Sequence, residues 1–380
     1  MPRIHPRDIW QALNINKALL ALLPVCRDLE GARNELRWLK QHAVAVSQQI
    51  GHSRQPSLLT EFIDRRARGE PLQYVLGSEY FGELEIGCRP GVLIPRQETA
   101  ASTSHLAHIV STELQSIAAE KKPLRVLDLC TGSGCIPLLF HHQFYSHEQN
   151  NSKQLELVGV DISSDALSLA RENLIHQIAR QGKQCSSGLP RTKSLQHIGF
   201  VQADILKDDQ DMPEDDKYDG PLPLAQALAR LSDSSPPTFD VLTCNPPYIS
   251  PRSFVTTTAR SVRQYEPVQA LVPAPQNTKS MTDNDIGDLF YPKLLAIAEQ
   301  IEAKVILFEV ADLEQAQRVA AMAARQGTWA RVEIWRDEPT ANSVSESVQT
   351  DRHNIAVRGV GHGRSVVAYR DGDKPVTEVT

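Results

Sequence analysis

The sequence predicts an α/β protein with an open, mostly parallel sheet, preceded by a helical segment. Three observations carry that expectation. Four short apolar runs, over 125–129, 155–160, 200–203 and 239–244, alternate with helical patterns as in successive βαβ units. Each run closes on residues suited to a ligand: the turn Cys130-Thr131-Gly132-Ser133-Gly134, the acids Asp161 and Asp204, and the loop Asn245-Pro246-Pro247-Tyr248. Ligands of open parallel sheets bind outside the carboxyl ends of the strands, so the four features are expected to share one crevice.

Taken in order, residues 1–70 read as a helical domain. Ala32, Leu36, Leu39 and Ala43 fall on one helical face, and Leu58, Leu59, Phe62 and Ile63 open a second amphipathic segment that ends near Gly69. Over 71–98 the period changes to two, with Gly77, Gly82, Gly87 and Gly91 as turn points, which predicts a β-hairpin linker. The remainder, 99–380, holds the sheet. A helix opens at Ile94-Pro95-Arg96-Gln97-Glu98-Thr99 and is expected to run to about residue 119. Ser163 caps the helix after the second strand. A fifth strand is expected over 304–310, between helices near 285–300 and 312–326, and two late strands over 332–335 and 365–369.

Surface insertions interrupt this scheme near 142–154, 181–197 and 207–238. Between 208 and 216 the chain carries six acids and no base, which reads as a solvated excursion. His141, His142 and His147 are expected in a surface loop, and no metal site is assigned to them.

Composition narrows the function. The chain has 380 residues and a formal net charge of −6, which argues against a partner held chiefly through phosphates. It has no run of 18 apolar residues, so no helix is expected to span a membrane. Its six cysteines lack paired C-x-x-C spacing, which fits a reduced compartment better than a disulfide scaffold or a zinc site. Arg3 and Arg7 are followed early by acids and a helical pattern, so a cleavable transit peptide is not evident.

The strand ends suggest chemistry. In the glycine turn the backbone can approach a ligand closely, beside unpaired N–H groups at a helix start. It is G-x-G without a third glycine, equally compatible with a plain tight turn, and no Lys-Ser or Lys-Thr follows to make a P-loop. Asp161 can accept from two ribose hydroxyls, although acids at strand ends are also common in loops. It lies further from the turn than the roughly 20 residues usual in dinucleotide folds, and the polar stretch 141–153 accounts for the surplus. The two prolines fix φ and leave carbonyls pointing outward; Asn245 adds an acceptor and Tyr248 a flat ring. That set suits a planar NH2 group, whose hydrogens can be held while its nitrogen faces an electrophile. A Pro-Pro dipeptide alone is more often only a turn.

With these residues together, Leu127-Asp128-Leu129-Cys130-Thr131-Gly132-Ser133-Gly134 resembles the first motif of class I S-adenosylmethionine methyltransferases. Asn245-Pro246-Pro247-Tyr248 resembles the fourth motif of those that methylate planar nitrogens. Gly69-Glu70-Pro71-Leu72-Gln73-Tyr74, Gly91-Val92-Leu93-Ile94-Pro95-Arg96-Gln97-Glu98-Thr99 and Tyr265-Glu266-Pro267-Val268-Gln269-Ala270-Leu271 resemble the peptide-release-factor glutamine methyltransferases, the HemK or PrmC family. The resemblance covers most of residues 30–370 outside the insertions. It implies a Rossmann-like sheet of seven strands with the last antiparallel, a hinge hairpin, and a helical N-terminal domain that recognises the substrate. That substrate is the glutamine of the Gly-Gly-Gln motif in a class I release factor.

The resemblance also implies roles for particular residues. Cys130, Thr131, Gly132, Ser133 and Gly134 would line the methionine moiety of S-adenosyl-L-methionine, Asp161 would bind its ribose, and Asp204 and Ile205 would flank its adenine. Asn245, Pro246, Pro247 and Tyr248 would hold the glutamine amide, with Asn245, Pro246 and Tyr248 as the catalytic set and Asn245 also near the cofactor. The chain departs from the commoner pattern at Cys130, where many members have glycine, and at Ile205, where some have an aromatic residue. The helical N-terminal domain points to a bacterial or a mitochondrial member, the long acidic and Pro/Ser-rich inserts favour the mitochondrial type over a cytoplasmic one, and a monomer is expected. Two other readings remain at this stage: an adenine methyltransferase acting on DNA or RNA, which shares the planar NH2 target, and a non-catalytic cofactor-binding scaffold.

Overall fold

The structure, a computed structural model, describes residues 4–50, 54–112, 123–182, 190–208, 220–231, 238–275, 280–341, 346–350 and 353–370. Most of the acidic run, Cys185, and any extension of the 97–112 helix toward residue 119 lie outside the described residues. The chain divides into two compact units. The first comprises residues 1–79, 88–90 and 258–266, and the second the remainder.

The first unit is built from helices Pro6–Ile15, Lys17–Cys26, Leu29–Ile50, Gln55–Ala67 and Leu72–Leu76. Asn16 separates the first two: its side-chain oxygen accepts from the Ala18 N–H at 2.9 Å and caps the second helix. Leu19, Leu22, Leu23, Leu36, Leu39 and Phe62 form the core. Arg66 pairs with Glu35 at 2.7 Å, tying the fourth helix to the third. The Tyr265 hydroxyl donates to the Arg68 carbonyl at 3.2 Å, attaching the 258–266 segment.

One expectation fails here. The stretch after Pro71 is helical over Leu72–Leu76, and the hairpin is confined to β1 (Ser78–Phe81) and β2 (Leu84–Gly87). Leu72, Val75 and Leu76 stand at i, i+3 and i+4 and pack into the helical core. Gly77, at φ 77°, ends the helix in the left-handed conformation.

The second unit holds a sheet of β3 (Leu124–Leu129), β4 (Leu155–Asp161), β5 (Gly199–Asp204), β6 (Leu222–Pro223), β7 (Val241–Cys244), β8 (Val305–Glu309), β9 (Trp329–Glu338), β10 (Glu346–Gln349), β11 (Asn354–Arg358) and β12 (Val360–Arg370). Their order is β10-β11-β9-β12-β8-β7-β3-β4-β5-β6. The inner seven, β5-β4-β3-β7-β8-β12-β9, form the Rossmann-like class I sheet, and β12 runs antiparallel to both of its neighbours. The sequence left three edge strands unassigned: β6, inside the 207–238 insertion, and the pair β10 and β11.

Period-two alternation sets the two faces of the sheet. Leu127, Leu129, Leu242, Ile306 and Phe308 pack with helices Phe290–Gln300 and Leu313–Gln326. Leu124, Val126, Val241, Val305 and Leu307 pack on the other side with helices Gln97–Thr112 and Cys135–Phe144. β7 and β8 are buried throughout, as central parallel strands must be.

His141 is not in a surface loop. The apolar run that begins at Ile136 carries the helix on to Phe144, and His141 is fully buried within it, its Nε2 3.1 Å from the Arg191 carbonyl oxygen. Burial pushes its pKa down to about 3, so it stays neutral. Within the 181–197 insertion lies the helix Pro190–Gln196, whose Leu195 packs in the core.

Candidate active site

Parallel register brings the sequence-derived candidates to one edge. Leu129 pairs with Val160 on one side and Cys244 on the other, Val160 pairs with Val201, and Cys244 pairs with Phe308. The residues that follow Leu129, Val160, Val201 and Cys244 meet around a cavity of about 840 Å³ within the second unit. Cys130, Thr131, Gly132, Ser133, Asp161, Asp204, Ile205, Asn245 and Pro247 line it.

The glycine turn is locked to the second strand by two hydrogen bonds. The Thr131 N–H donates to the Val160 carbonyl at 2.9 Å, and the Gly132 N–H to Asp161 Oδ2 at 2.8 Å. Cys130, Gly132 and Gly134 all have positive φ, at 57°, 55° and 75°. Cys130 therefore occupies a left-handed position that favours glycine, the residue found there in the commoner family pattern. A Cβ on Gly132 would meet nothing within 4 Å, so the turn stays open toward the cavity. Gly134 does not line the cavity. A Cβ there would lie 3.0 Å from both Ala170 Cβ and Phe200 Cζ, so Gly134 serves close packing. Gly159 on β4, which the sequence reading passed over, does the same beneath the turn: a Cβ would lie 2.7 Å from Thr131 Oγ1.

Asp161 uses one lone pair of each oxygen on the backbone. Oδ2 accepts from Gly132, and Oδ1 accepts from the Ser163 N–H at 2.9 Å, while Ser163 Oγ accepts from Ala166 at 3.2 Å and caps the next helix. Burial raises its pKa, and the backbone N–H donors of Ser163 and Gly132 act against that rise. Asp204 Oδ1 accepts from the Leu206 N–H at 3.0 Å, and Ile205 is buried beside it. Below the turn, Asp128 is buried and accepts from Thr243 Oγ1 at 2.8 Å; burial pushes its pKa up to about 7.

The loop after β7 contributes unevenly. Asn245 and Pro247 line the cavity, whereas Pro246 and Tyr248 are not among its lining residues. Tyr248 packs against the core and its hydroxyl donates to Glu309 Oε1 at 2.9 Å. Glu309 Oε2 accepts from the Thr99 hydroxyl. Burial raises the pKa of Glu309, against the pull of both hydroxyl donors. Sequence reasoning missed Glu309, and also the wall formed by Val92, Ile94 and Arg96 and the strip Gln269–Pro275. Both of those stretches carried a signal, since each begins within a motif that supports the family resemblance.

The cavity fits a nucleoside-sized ligand. Its volume lies near the top of the roughly 300–1,000 Å³ range of small-molecule sites, which leaves space for a reacting side chain. Asp161 retains acceptor capacity for vicinal hydroxyls, Val92, Ile205 and Leu206 offer apolar surface for a flat ring, and Gly132 leaves the turn unobstructed.

Comparison with known proteins agrees with this geometry. The family model for N-6 DNA methylase matches residues 105–282. A Saccharomyces cerevisiae protein named as a mitochondrial MRF1 N(5)-glutamine methyltransferase is 31% identical over 272 residues, covering 72% of this chain and 68% of the yeast protein. A Schizosaccharomyces pombe protein named as a probable MRF1 mitochondrial N(5)-glutamine methyltransferase is 29% identical over 331 residues, covering 85% of this chain and 89% of its own. A release factor glutamine methyltransferase of Nitratidesulfovibrio vulgaris is 27% identical over 282 residues, covering 74% of this chain and 73% of its own. With the class I sheet, the glycine turn and the loop after β7 at one cavity, and a relative 31% identical over 72% of this chain and 68% of its own length, the chain belongs to the release-factor N(5)-glutamine methyltransferase family.

Proposed function

We propose that this protein transfers a methyl group from S-adenosyl-L-methionine to the side-chain amide nitrogen of the Gly-Gly-Gln glutamine in a class I release factor, in support of translation termination. The observation that supports it most is the convergence of Asp161 and Asn245 on one cavity with room for both a nucleoside and an amide side chain.

The bound cofactor supplies an electrophilic methyl. Cys130 to Ser133 would provide the wall beside its methionine moiety, Asp161 would accept from its ribose hydroxyls, and Asp204 and Ile205 would flank its adenine. An amide nitrogen is a weak nucleophile because its lone pair is delocalised, so the site's task is to orient it and to offset the positive charge it acquires. The Asn245 side-chain oxygen, which lines the cavity, accepts from the amide NH2, and that bond strengthens as the charge develops. Pro247 holds the loop rigid. Tyr248, tied to Glu309, supports the loop from behind. Alignment of nitrogen and methyl supplies much of the rate.

The helical unit is assigned to recognition of the release factor; exposed Trp10 and Leu13 give it apolar contact surface. The names of the two yeast relatives support a mitochondrial location. The working unit is taken to be a monomer. Adenine in nucleic acid is not favoured as the target, given the acidic balance and the relatives that act on release factors. Transfer of labelled methyl to a release factor tests the proposal. Label should appear on the intact factor and not on one whose Gly-Gly-Gln glutamine is replaced by alanine. Equal labelling of the two would overturn the assignment.

A further inference from the structure

Glu309 closes β8 in the middle of the sheet, paired with Ser365 of β12, and is only 5% exposed. A carboxylate so placed is costly unless it is well bonded. Among the described residues it forms no ion pair. Arg364, whose charge acts on it, pairs with Asp337 at 2.8 Å. Instead the two carboxylate oxygens accept from two hydroxyls on different parts of the chain: Tyr248 at 2.9 Å on Oε1, and Thr99 on Oε2. The backbone carbonyl of Glu309 accepts from the Tyr291 hydroxyl at 2.8 Å, which fixes the end of the strand itself.

Tyr248 ends the Asn-Pro-Pro-Tyr loop. Thr99 begins the helix that follows the 91–96 wall of the cavity and itself lines that cavity. Behind them lies a small void of about 10 Å³ bordered by Thr99, Thr243, Asn245, Glu309 and Ser365. Asn245 thus faces the cavity and also backs onto the polar cluster that Glu309 organises. A void of that size has room for at most about one water, so Asn245 cannot recede far without meeting the cluster.

We infer that Glu309 is a positioning residue for the methyl transfer: by holding Tyr248 and Thr99 at once, it sets the Asn245 acceptor against the opposite wall of the cavity. The inference rests on the proposed amide methylation. It explains the choice of side chain, since a carboxylate offers an acceptor oxygen to each of the two hydroxyl donors. Glutamine keeps one acceptor and turns an NH2 toward the other hydroxyl. Alanine keeps neither.

The test uses the full chain with Glu309→Gln, Glu309→Ala, Tyr248→Phe and Thr99→Val. Displacing a reacting group by about 1 Å costs on the order of 10²-fold in rate, so Glu309→Ala should lower kcat by about that factor, with a milder loss in Glu309→Gln. Cofactor affinity by calorimetry should be unchanged throughout. Tyr248→Phe combined with Thr99→Val should cost less than the product of the single effects, because both act through one carboxylate. Hydrogen exchange at the Asn245, Tyr248 and Ile249 amides should quicken in Glu309→Ala and Tyr248→Phe. That readout needs no methyl acceptor, so it decides the inference even if the release factor proves not to be the substrate. Should Glu309→Ala fail to fold, the two single-hydroxyl variants carry the test. Full kcat in folded Tyr248→Phe and Thr99→Val, or unchanged exchange in the loop, would overturn the inference.

Discussion

Replacing Asp161 by alanine probes the cofactor site, and the structure shows why the result needs two readouts. Each carboxylate oxygen already accepts one backbone N–H, from Gly132 at 2.8 Å and from Ser163 at 2.9 Å, leaving each oxygen one lone pair for a ribose hydroxyl. Losing both charge-assisted bonds to the cofactor should cost roughly 2–3 kcal/mol, or about 30- to 150-fold in Kd. The same substitution strips the partners from two N–H groups at the turn, so a lower Tm is expected as well. Asp161→Asn should fall between wild type and alanine, because its NH2 faces one of those N–H donors. The ionised form does the binding and burial has raised the pKa, so affinity should decline as pH falls through that raised value. Calorimetry against S-adenosyl-L-methionine, paired with thermal melts, separates the two roles. An unchanged Kd with a lowered Tm would reduce Asp161 to a turn-holding residue, and an unchanged Kd and Tm would remove it from the site altogether.

Three further outcomes are expected. Asn245→Ala should lower kcat by about 10²–10³, as loss of a transition-state hydrogen bond does, with little change in Tm; wild-type turnover would reduce the loop to a structural turn. Asp128, ordinarily at 3.8 but held near 7 in the fold, keeps a proton there that the unfolded chain has released. Its contribution to stability therefore falls as pH rises across that interval, by up to about 1.4 kcal/mol per pH unit. Denaturation of Asp128→Asn should lack that increment of slope, and a slope matching wild type would contradict the burial argument. Gly159→Ala should destabilise by about 1–3 kcal/mol and weaken cofactor binding, because the new Cβ must displace Thr131 and Phe200; unaltered denaturation and affinity would show that the turn yields freely.

The core of the sheet was legible because alternation at Val126/Leu127, Val241/Leu242 and Val305/Ile306 directs successive side chains to opposite faces. The strand ends announced the site through residue types that ordinary turns do not need together. The 72–76 helix was not legible, since four glycines spaced along 77–91 masked three apolar residues at helical spacing. β10 is a mostly exposed edge strand of four residues, and β11, though it buries Ile355 and Val357 in alternation, is only five residues long. Glu309 gave no local signal at all. Its partners stand 61 and 210 residues away, and only the register of β7 beside β8 brings Tyr248 to it. Tyr248 itself was read as a stacking face because sequence shows its ring and not the carboxylate that holds its hydroxyl.

The central claim is that the nitrogen accepting the methyl is a glutamine amide and not an adenine amine. The direct measurement incubates the protein with methyl-labelled S-adenosyl-L-methionine, an unmethylated class I release factor and unmethylated DNA and RNA together, and locates the label by mass spectrometry of peptides and nucleosides. A single methyl on the Gly-Gly-Gln glutamine side chain, absent with Asn245→Ala, is the predicted result. Label in methyladenine, with the release factor unmodified, would contradict it.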